Sequence, residues 1–210
     1  LWVREPKGGG PVDWGAGVRE LVRTLQQVRA YREAAKFLLA FWLYSDGINT
    51  VIKMAAIYGA EVGIGTGDLV AALLFTQFVA FPFSLLFGKL SGSVGVKQAL
   101  YVALGVYTFV CGWGYFLSEA WQFWILAGLV GTVQGGAQAL SRSLFARMVP
   151  KEHTAEFFGF FSTVSKFSGI LGPFLFGVAG TVFHTSRAAA PVLAALFLMG
   201  IAALSRVRVD

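Results

Sequence analysis

Six apolar stretches occupy most of the chain, at 37–59, 68–88, 98–117, 121–146, 156–183 and 188–205. Each is close to the roughly 20 residues that an α-helix needs to cross about 30 Å of hydrocarbon. Strands would show shorter runs, and a soluble helix would interrupt them with a polar stripe. The connections are short: "GAEVGIGTG", "SEA" and "FHTSR" on one side, "GKLSGSVGVK" and "RMVPKEHTAE" on the other. The pattern predicts an all-α membrane protein with six transmembrane helices in a domain at 37–210, preceded by a cytoplasmic linker at 1–36. In that linker Val18, Leu21, Val22, Leu25 and Val28 recur at helical spacing, with Arg19, Arg23, Arg29 and Arg32 mostly elsewhere. This predicts an amphipathic helix over 13–35, lying on the cytoplasmic membrane surface or against the protein itself.

Composition agrees with the pattern. The 210 residues are 56% hydrophobic and 13% charged, where soluble domains carry roughly 25% charge. The net charge of +6 invites a nucleic-acid partner, but the placement of the charges argues against one. Basic residues gather in the leader (Arg4, Lys7, Arg19, Arg23, Arg29, Arg32, Lys36) and on the same side at Lys89, Lys97, Arg142, Arg147, Lys151, Arg206 and Arg208. The opposite loops hold only Arg187. That asymmetry predicts a multi-pass protein with both termini cytoplasmic, as in a bacterial inner membrane, and with no nucleic-acid partner. The opening "LWVREPKGGG" lacks a Met and reads like the exit of an earlier hydrophobic segment, which predicts a longer native protein.

Enzyme chemistry finds no motif. His153 and His184 lie in loops without a His or Glu at metal-ligand spacing, and no HExxH, GxSxG or GxxxxGK[ST] occurs. Cys111, alone in an apolar run, reads as a small packing residue. No catalytic residue, metal or cofactor is expected.

The informative polar residues sit inside the spans, where a charge costs roughly 2.5–3.5 kcal/mol at the centre and needs a partner or water. Asp46, Asn49, Thr50 and Lys53 of the first span fall at i, i+3, i+4 and i+7, one stripe of a helix. In the fourth span Gln134, Gln138, Ser141 and Arg142 share a face, beside Gly131, Gly135 and Gly136. Ser162, Ser165, Lys166 and Gly169 repeat the pattern in the fifth, where Pro173 is expected to break the helix beyond Gly172. Asp46 and Lys166 both lie about 15 Å into their spans at 1.5 Å per residue, level enough to meet across a cavity. Gly47 invites close approach by a helix or ligand, whereas Arg142, Arg147 and Lys151 read as interfacial anchors. The third and sixth spans contain no charge in 98–117 and 188–205 and read as peripheral. "PFSLLFG" from Pro82 and "PFLFG" from Pro173 form a faint internal echo.

The segments "YSDGINTVIK", "QGGAQALSRSLFARMVP" and "FFGFFSTVSKFSGILGP" resemble the vacuole-effluxer-like branch of the major facilitator superfamily, which includes autophagy-related amino-acid exporters. The likeness runs from about residue 35 to the end, and the leader resembles that branch's central linker. It implies a C-terminal half built of two inverted three-helix repeats, with the first and fourth helices lining a cavity. The second and fifth would meet the N-terminal half, and the third and sixth would face lipid. Asp46, Asn49, Thr50, Lys53, Gln134 and Gln138 would then be solute- or ion-binding residues, with Lys166 at the seam. Gly88, Leu90, Gly95 and Lys97 match the superfamily's gating-loop frame, whereas Gly92, Ser93 and Val96 replace its usual charges. The implied function is alternating-access transport of a small polar solute such as an amino acid, coupled to a proton or cation. The alternative is a non-transporting six-helix scaffold or homodimer.

Overall fold

The computed structural model describes residues 31–150 and 153–208, and all the regular structure in them is helical. The amphipathic helix expected over 13–35 therefore lies almost wholly outside the described residues. The helices are α1 (Arg32–Glu61), α2 (Thr66–Val94), α3 (Val96–Gly114), α4 (Ala120–Met148), α5 (Thr154–Phe167), α6 (Leu171–Phe183) and α7 (Ala189–Ser205), with a 3-10 turn at Ser186–Ala188 before the last. Four stretches are long and apolar enough to cross a membrane: Thr66–Val94, Ala120–Met148, Thr154–Phe183 and Ser186–Ser205. α1 carries Asp46 and Lys53 at mid-length, and α3 opens on Lys97 and Gln98, which lowers the apolarity of both.

Two boundaries differ from the sequence expectation. The stretch expected as a loop from Gly88 is helical to Val94, so α2 and α3 are separated by Gly95 alone. Gly95 turns the chain at φ +93°, a conformation that side chains with a Cβ rarely adopt. Gly88, Gly92 and the serines between look loop-like in sequence, but Ser91 and Ser93 return their hydroxyls to the helix carbonyls of Gly88 and Leu90. Lys97 donates to the Val207 carbonyl at 2.6 Å and lies over the Tyr101 ring, tying this turn to the end of the chain. The second difference is the fifth span, which is two helices with a break between Phe167 and Leu171.

Glycine contacts set the packing. Lipid and apolar side chains are equally greasy, so helices in a membrane associate through close packing and hydrogen bonds. α2 lies against α4 along Gly131, Gly135 and Gly136, where an added Cβ would stand 2.8 Å from the Thr76 carbonyl, 2.9 Å from Ser84 Cβ and 2.7 Å from Phe87 Cβ respectively. Thr76 crosses this seam, its hydroxyl lying 3.1 Å from the Ala127 carbonyl. α1 lies against α7 through a reciprocal pair: Phe197 covers Gly47, and Tyr44 covers Gly200. α3 packs on α4 and α7 with Ala99, Leu100, Ala103, Leu104 and Tyr107 fully buried. The helices with the largest exposed apolar faces are α2 (Phe78, Phe81, Leu85) and α6 (Phe174, Val182, Phe183), rather than α3 and α7.

At the end of the bundle where α1 leads into α2, Glu61 accepts the Ser186 amide at 3.0 Å, and Arg187 donates to the Leu117 carbonyl at 3.0 Å. The Ser186 side chain and amide hold the Glu61 carboxyl below the usual carboxylate range.

Replacing Gly131 by Val in the full-length protein should destabilise it by about 1–3 kcal/mol through overpacking against Thr76 and Val79. Gly105→Ala, with nothing within 4 Å of the new Cβ, should be neutral or stabilising. Thermal unfolding in detergent compares the two, and equal midpoints would contradict the tight α2–α4 seam.

Candidate binding site at the broken fifth span

Pro173 explains the break. Its nitrogen carries no hydrogen to donate to the Gly169 carbonyl, and its ring excludes that carbonyl from helical geometry. It stands instead in the first turn of α6, where an amide hydrogen would have no intrahelical partner. The helix therefore opens before Gly172, not beyond it as the sequence suggested. The break leaves the carbonyls of Ser168 and Gly169 and the first amides of α6 to find other partners.

The polar stripe of α1 meets these groups one by one. Asn49 Nδ2 donates to the Ser168 carbonyl at 3.0 Å and approaches its hydroxyl at 3.3 Å. The Ser168 hydroxyl lies 2.7 Å from the Ser165 carbonyl and 3.0 Å from Ser45 Oγ. Lys53 Nζ lies 3.5 Å from the Gly169 carbonyl. Asp46 turns its carboxylate toward the amides of Ile170, Leu171 and Gly172, the positive end of α6. It is 1% exposed, and no donor among the described residues reaches strict hydrogen-bonding geometry with either of its oxygens. Thr50 returns its hydroxyl to the Asp46 carbonyl at 2.7 Å. Gly172 makes this approach possible, because a Cβ there would strike Thr50 Oγ1 and stand 2.8 Å from Asp46 Oδ2.

Two clefts of about 120 Å³ each flank this contact. One, termed inner for its place nearer the start of α1 and the end of α4, lies between α1, α4 and α5, with Ser45, Asn49, Gln138, Arg142 and Ser165 over an aromatic floor of Phe41 and Phe161. Those two rings stack with centroids 4.3 Å apart. The outer cleft is mainly apolar, with Tyr58, Gln77, Cys111 and Gln134 on its walls. Gln134 Oε1 is buried there without a hydrogen-bond partner among the described residues.

The stripes expected from the sequence are thus divided. Asp46, Asn49, Thr50 and Lys53 face the break, Gln138 lines the inner cleft, and Gln134 lines the outer one. Lys166 is exposed on α5. Among the described residues no ion pair joins Asp46 to Lys53 or Lys166, the pairs present being Lys36–Glu33 and His153–Glu156. Equal depth does not make two side chains meet: Ser165, one residue and about 100° around α5, faces the inner cleft instead. Arg142, which the sequence suggested as an interfacial anchor, lines that cleft one turn from Gln138. Its signal was the i, i+4 spacing from Gln138. Gly88, Leu90, Gly95 and Lys97 belong to the α2–α3 junction, away from both clefts.

These features define a multi-pass helical membrane protein whose fifth span unwinds beside a buried carboxylate. The chain belongs to the vacuole effluxer Atg22-like family, whose sequence model matches residues 4–210 and so takes in most of the leader. It is 45% identical over 187 residues to the uncharacterized MFS-type transporter YxiO of Bacillus subtilis, covering 89% of this chain and 44% of that protein. It is 27% identical over 195 residues to autophagy-related protein 22 of Yarrowia lipolytica, covering 87% of this chain and 33% of the relative. Autophagy-related protein 22-1 of Aspergillus niger is 28% identical over 228 residues, covering 95% and 37%. The chain spans less than half the length of these relatives. The family is one of transporters, not of enzymes.

Asn49→Ala should leave the Ser168 carbonyl without its donor and cost about 1–3 kcal/mol, the usual range for an orphaned buried acceptor. Gly172→Ala should cost at least as much, because Thr50 and Asp46 have to move. Unfolding midpoints of both full-length variants close to that of the unaltered protein would contradict the account of the break.

Proposed function

We propose that the chain is the C-terminal six-helix half of a secondary transporter that moves a small polar solute, such as an amino acid, by alternating access. α1, α2, α3, α4, the α5–α6 pair and α7 would be its six spans, with both termini cytoplasmic, in a bacterial inner membrane. The contacts support two inverted three-helix repeats. α1 packs on α7 as α4 packs on α3, and α2 packs on α4 as α5 and α6 pack on α1. The exposed apolar faces of α2 and α6 suit the N-terminal half of the complete protein, and residues 1–36 would be the cytoplasmic linker from it. A homodimer of the six-helix unit would cover the same faces.

One observation carries the reading. Asp46 is fully buried at a helix break, facing only backbone amides and with no ion-pair or side-chain partner for its carboxylate among the described residues, in an apolar bundle where a structural carboxylate would be paired. The amides of Ile170–Gly172 favour its charge, and the lack of a neutralising side chain leaves room for a proton or small cation to bind and leave. Broken helices that present their ends at mid-membrane are the recurring ion and solute sites of secondary transporters. In this reading Asp46 is the coupling group, Asn49, Thr50 and Lys53 hold the break around it, Gln134 and Gln138 face solute from the two sides, and Lys166 lies toward the other half.

Asp46→Asn in the full-length protein should abolish coupled, concentrative transport in proteoliposomes while leaving the elution profile and unfolding midpoint of the protein nearly unchanged. Transport at the unaltered rate would remove Asp46 from the coupling role.

A further inference from the structure

The inner cleft is lined by a solvent-exposed cation, Arg142, with no acidic residue among its described lining. Arg142 has neither a hydrogen bond nor an ion pair among the described residues, while Asp46, the acid of the neighbouring stripe, is turned toward α6 and lies outside the cleft lining. Gln138, one turn before Arg142 on the same face, also makes no hydrogen bond among the described residues, and Asn49 keeps its Oδ1 unused. Two of the hydroxyls in the cleft are committed. Ser141 gives its single hydrogen to the Ala137 carbonyl at 2.6 Å, so Tyr44 is the donor in the 2.7 Å contact with Ser141. The free donors in the cleft are thus the Arg142 guanidinium, the Gln138 amide and the hydroxyls of Ser45 and Ser165, above the apolar floor of Phe41 and Phe161, and Arg142 is the one that carries charge.

We propose that Arg142, assisted by Gln138, is the subsite for the carboxylate of a small carboxylate-bearing solute. The proposal rests on the transporter reading and names the solute's chemistry at its cleft. A guanidinium presents paired N–H donors in a planar fork that matches the two oxygens of a carboxylate, and it sheds water more readily than an ammonium. Beside a low-dielectric aromatic floor its attraction for an anion is stronger than at an open surface. A neutral solute would gain no charge-assisted bond from Arg142, and a cationic one would be repelled. One guanidinium balances one carboxylate, whereas a phosphate dianion would call for a second cation, and neither Lys53 nor Lys166 lines this cleft.

The test uses the full-length transporter in lipid nanodiscs. Its thermal unfolding is followed with each of the common L-amino acids, lactate and succinate, and each acid that stabilises the protein is compared with its own amide. The expected result is that at least one acid raises the unfolding midpoint and its amide does not. Arg142→Gln should weaken that acid by about tenfold or more, in line with the loss of a charge-assisted hydrogen-bond pair. It should leave the midpoint without solute unchanged. Arg142→Lys keeps the charge at the membrane surface but loses the fork, and should weaken binding severalfold, so that a folding defect in the Gln variant does not decide the matter. Unchanged affinity in both variants overturns the subsite. So does an amide that binds as well as its acid, or a midpoint loss without solute confined to nanodiscs of anionic lipid, the mark of a headgroup anchor. If no acid binds, the subsite also falls. Uptake of labelled glucose or choline by the same protein would then leave the transporter reading standing, and its absence would remove that reading too.

Discussion

A helix that unwinds inside an apolar layer exposes backbone donors and acceptors that water would otherwise satisfy, and each one left alone there costs several kcal/mol. The α5–α6 break creates that demand, and the polar stripe of α1 answers most of it. Asn49 takes one freed carbonyl and Lys53 lies against the next, while Asp46 faces the freed amides. The two elements depend on one another. Without the break, α1 would carry a carboxylate, an amide and an ammonium into hydrocarbon with no partners. Without the stripe, Pro173 would leave the fifth span with bare backbone ends. The register of α1 is held from the opposite side by Phe197 on Gly47 and Tyr44 on Gly200, so the stripe cannot rotate away to relieve an imperfect fit.

The fit is imperfect at one residue. Asn49 and Thr50 make hydrogen bonds of 3.0 Å or less to carbonyls, whereas Asp46 has charge complementarity without a formed hydrogen bond. A group required only to close the break would be served better by an amide or hydroxyl, which can both donate and accept. A carboxylate aimed at the start of a helix gains from the dipole when ionised and loses that gain when protonated. Its free energy therefore depends on occupancy by a proton or cation, unlike that of its neighbours. This contrast separates the structural members of the stripe from the one with a reason to exchange something.

Much of this architecture could be read from the sequence, for identifiable reasons. The apolar runs are long and uninterrupted, so the all-helical character followed from periodicity, although the fifth run is two helices. The glycines of the fourth span did prove to be a close seam, on α2. The end of α2 was harder to read: a Gly- and Ser-rich stretch looks like a loop, yet serines that bond back to their own helix and glycines on an open face cost little. Pro173 showed that the fifth span breaks but was misread as to side, because a proline tolerated in a first turn marks a helix start. Asp46 and Lys166 share a depth but no contact, since residue counting yields height along a helix and says nothing of azimuth between helices. For the same reason Gln134 and Gln138, on one face in sequence, open into different clefts once α1 crosses between them.

The bundle contains the same device twice with different chemistry. Along α2 and α4, three glycines admit a neighbouring helix, and the contact is filled by Thr76, Val79, Ser84 and Phe87, nearly all apolar atoms. Along α1 and α6, one glycine admits a neighbouring helix, and the contact is filled by Asp46 and Thr50. A dry seam of interlocked carbon atoms has one good arrangement, because sliding it opens voids that nothing fills. A polar seam can trade one donor for another, for a proton or for a solute group at small net cost. The α2–α4 pair is thus built to move as a unit, and the α1–α6 contact is where a change of protonation or occupancy can be felt. Both clefts border α1, so in the proposed transporter the adaptable seam would lie between them, where binding on one side could alter access on the other.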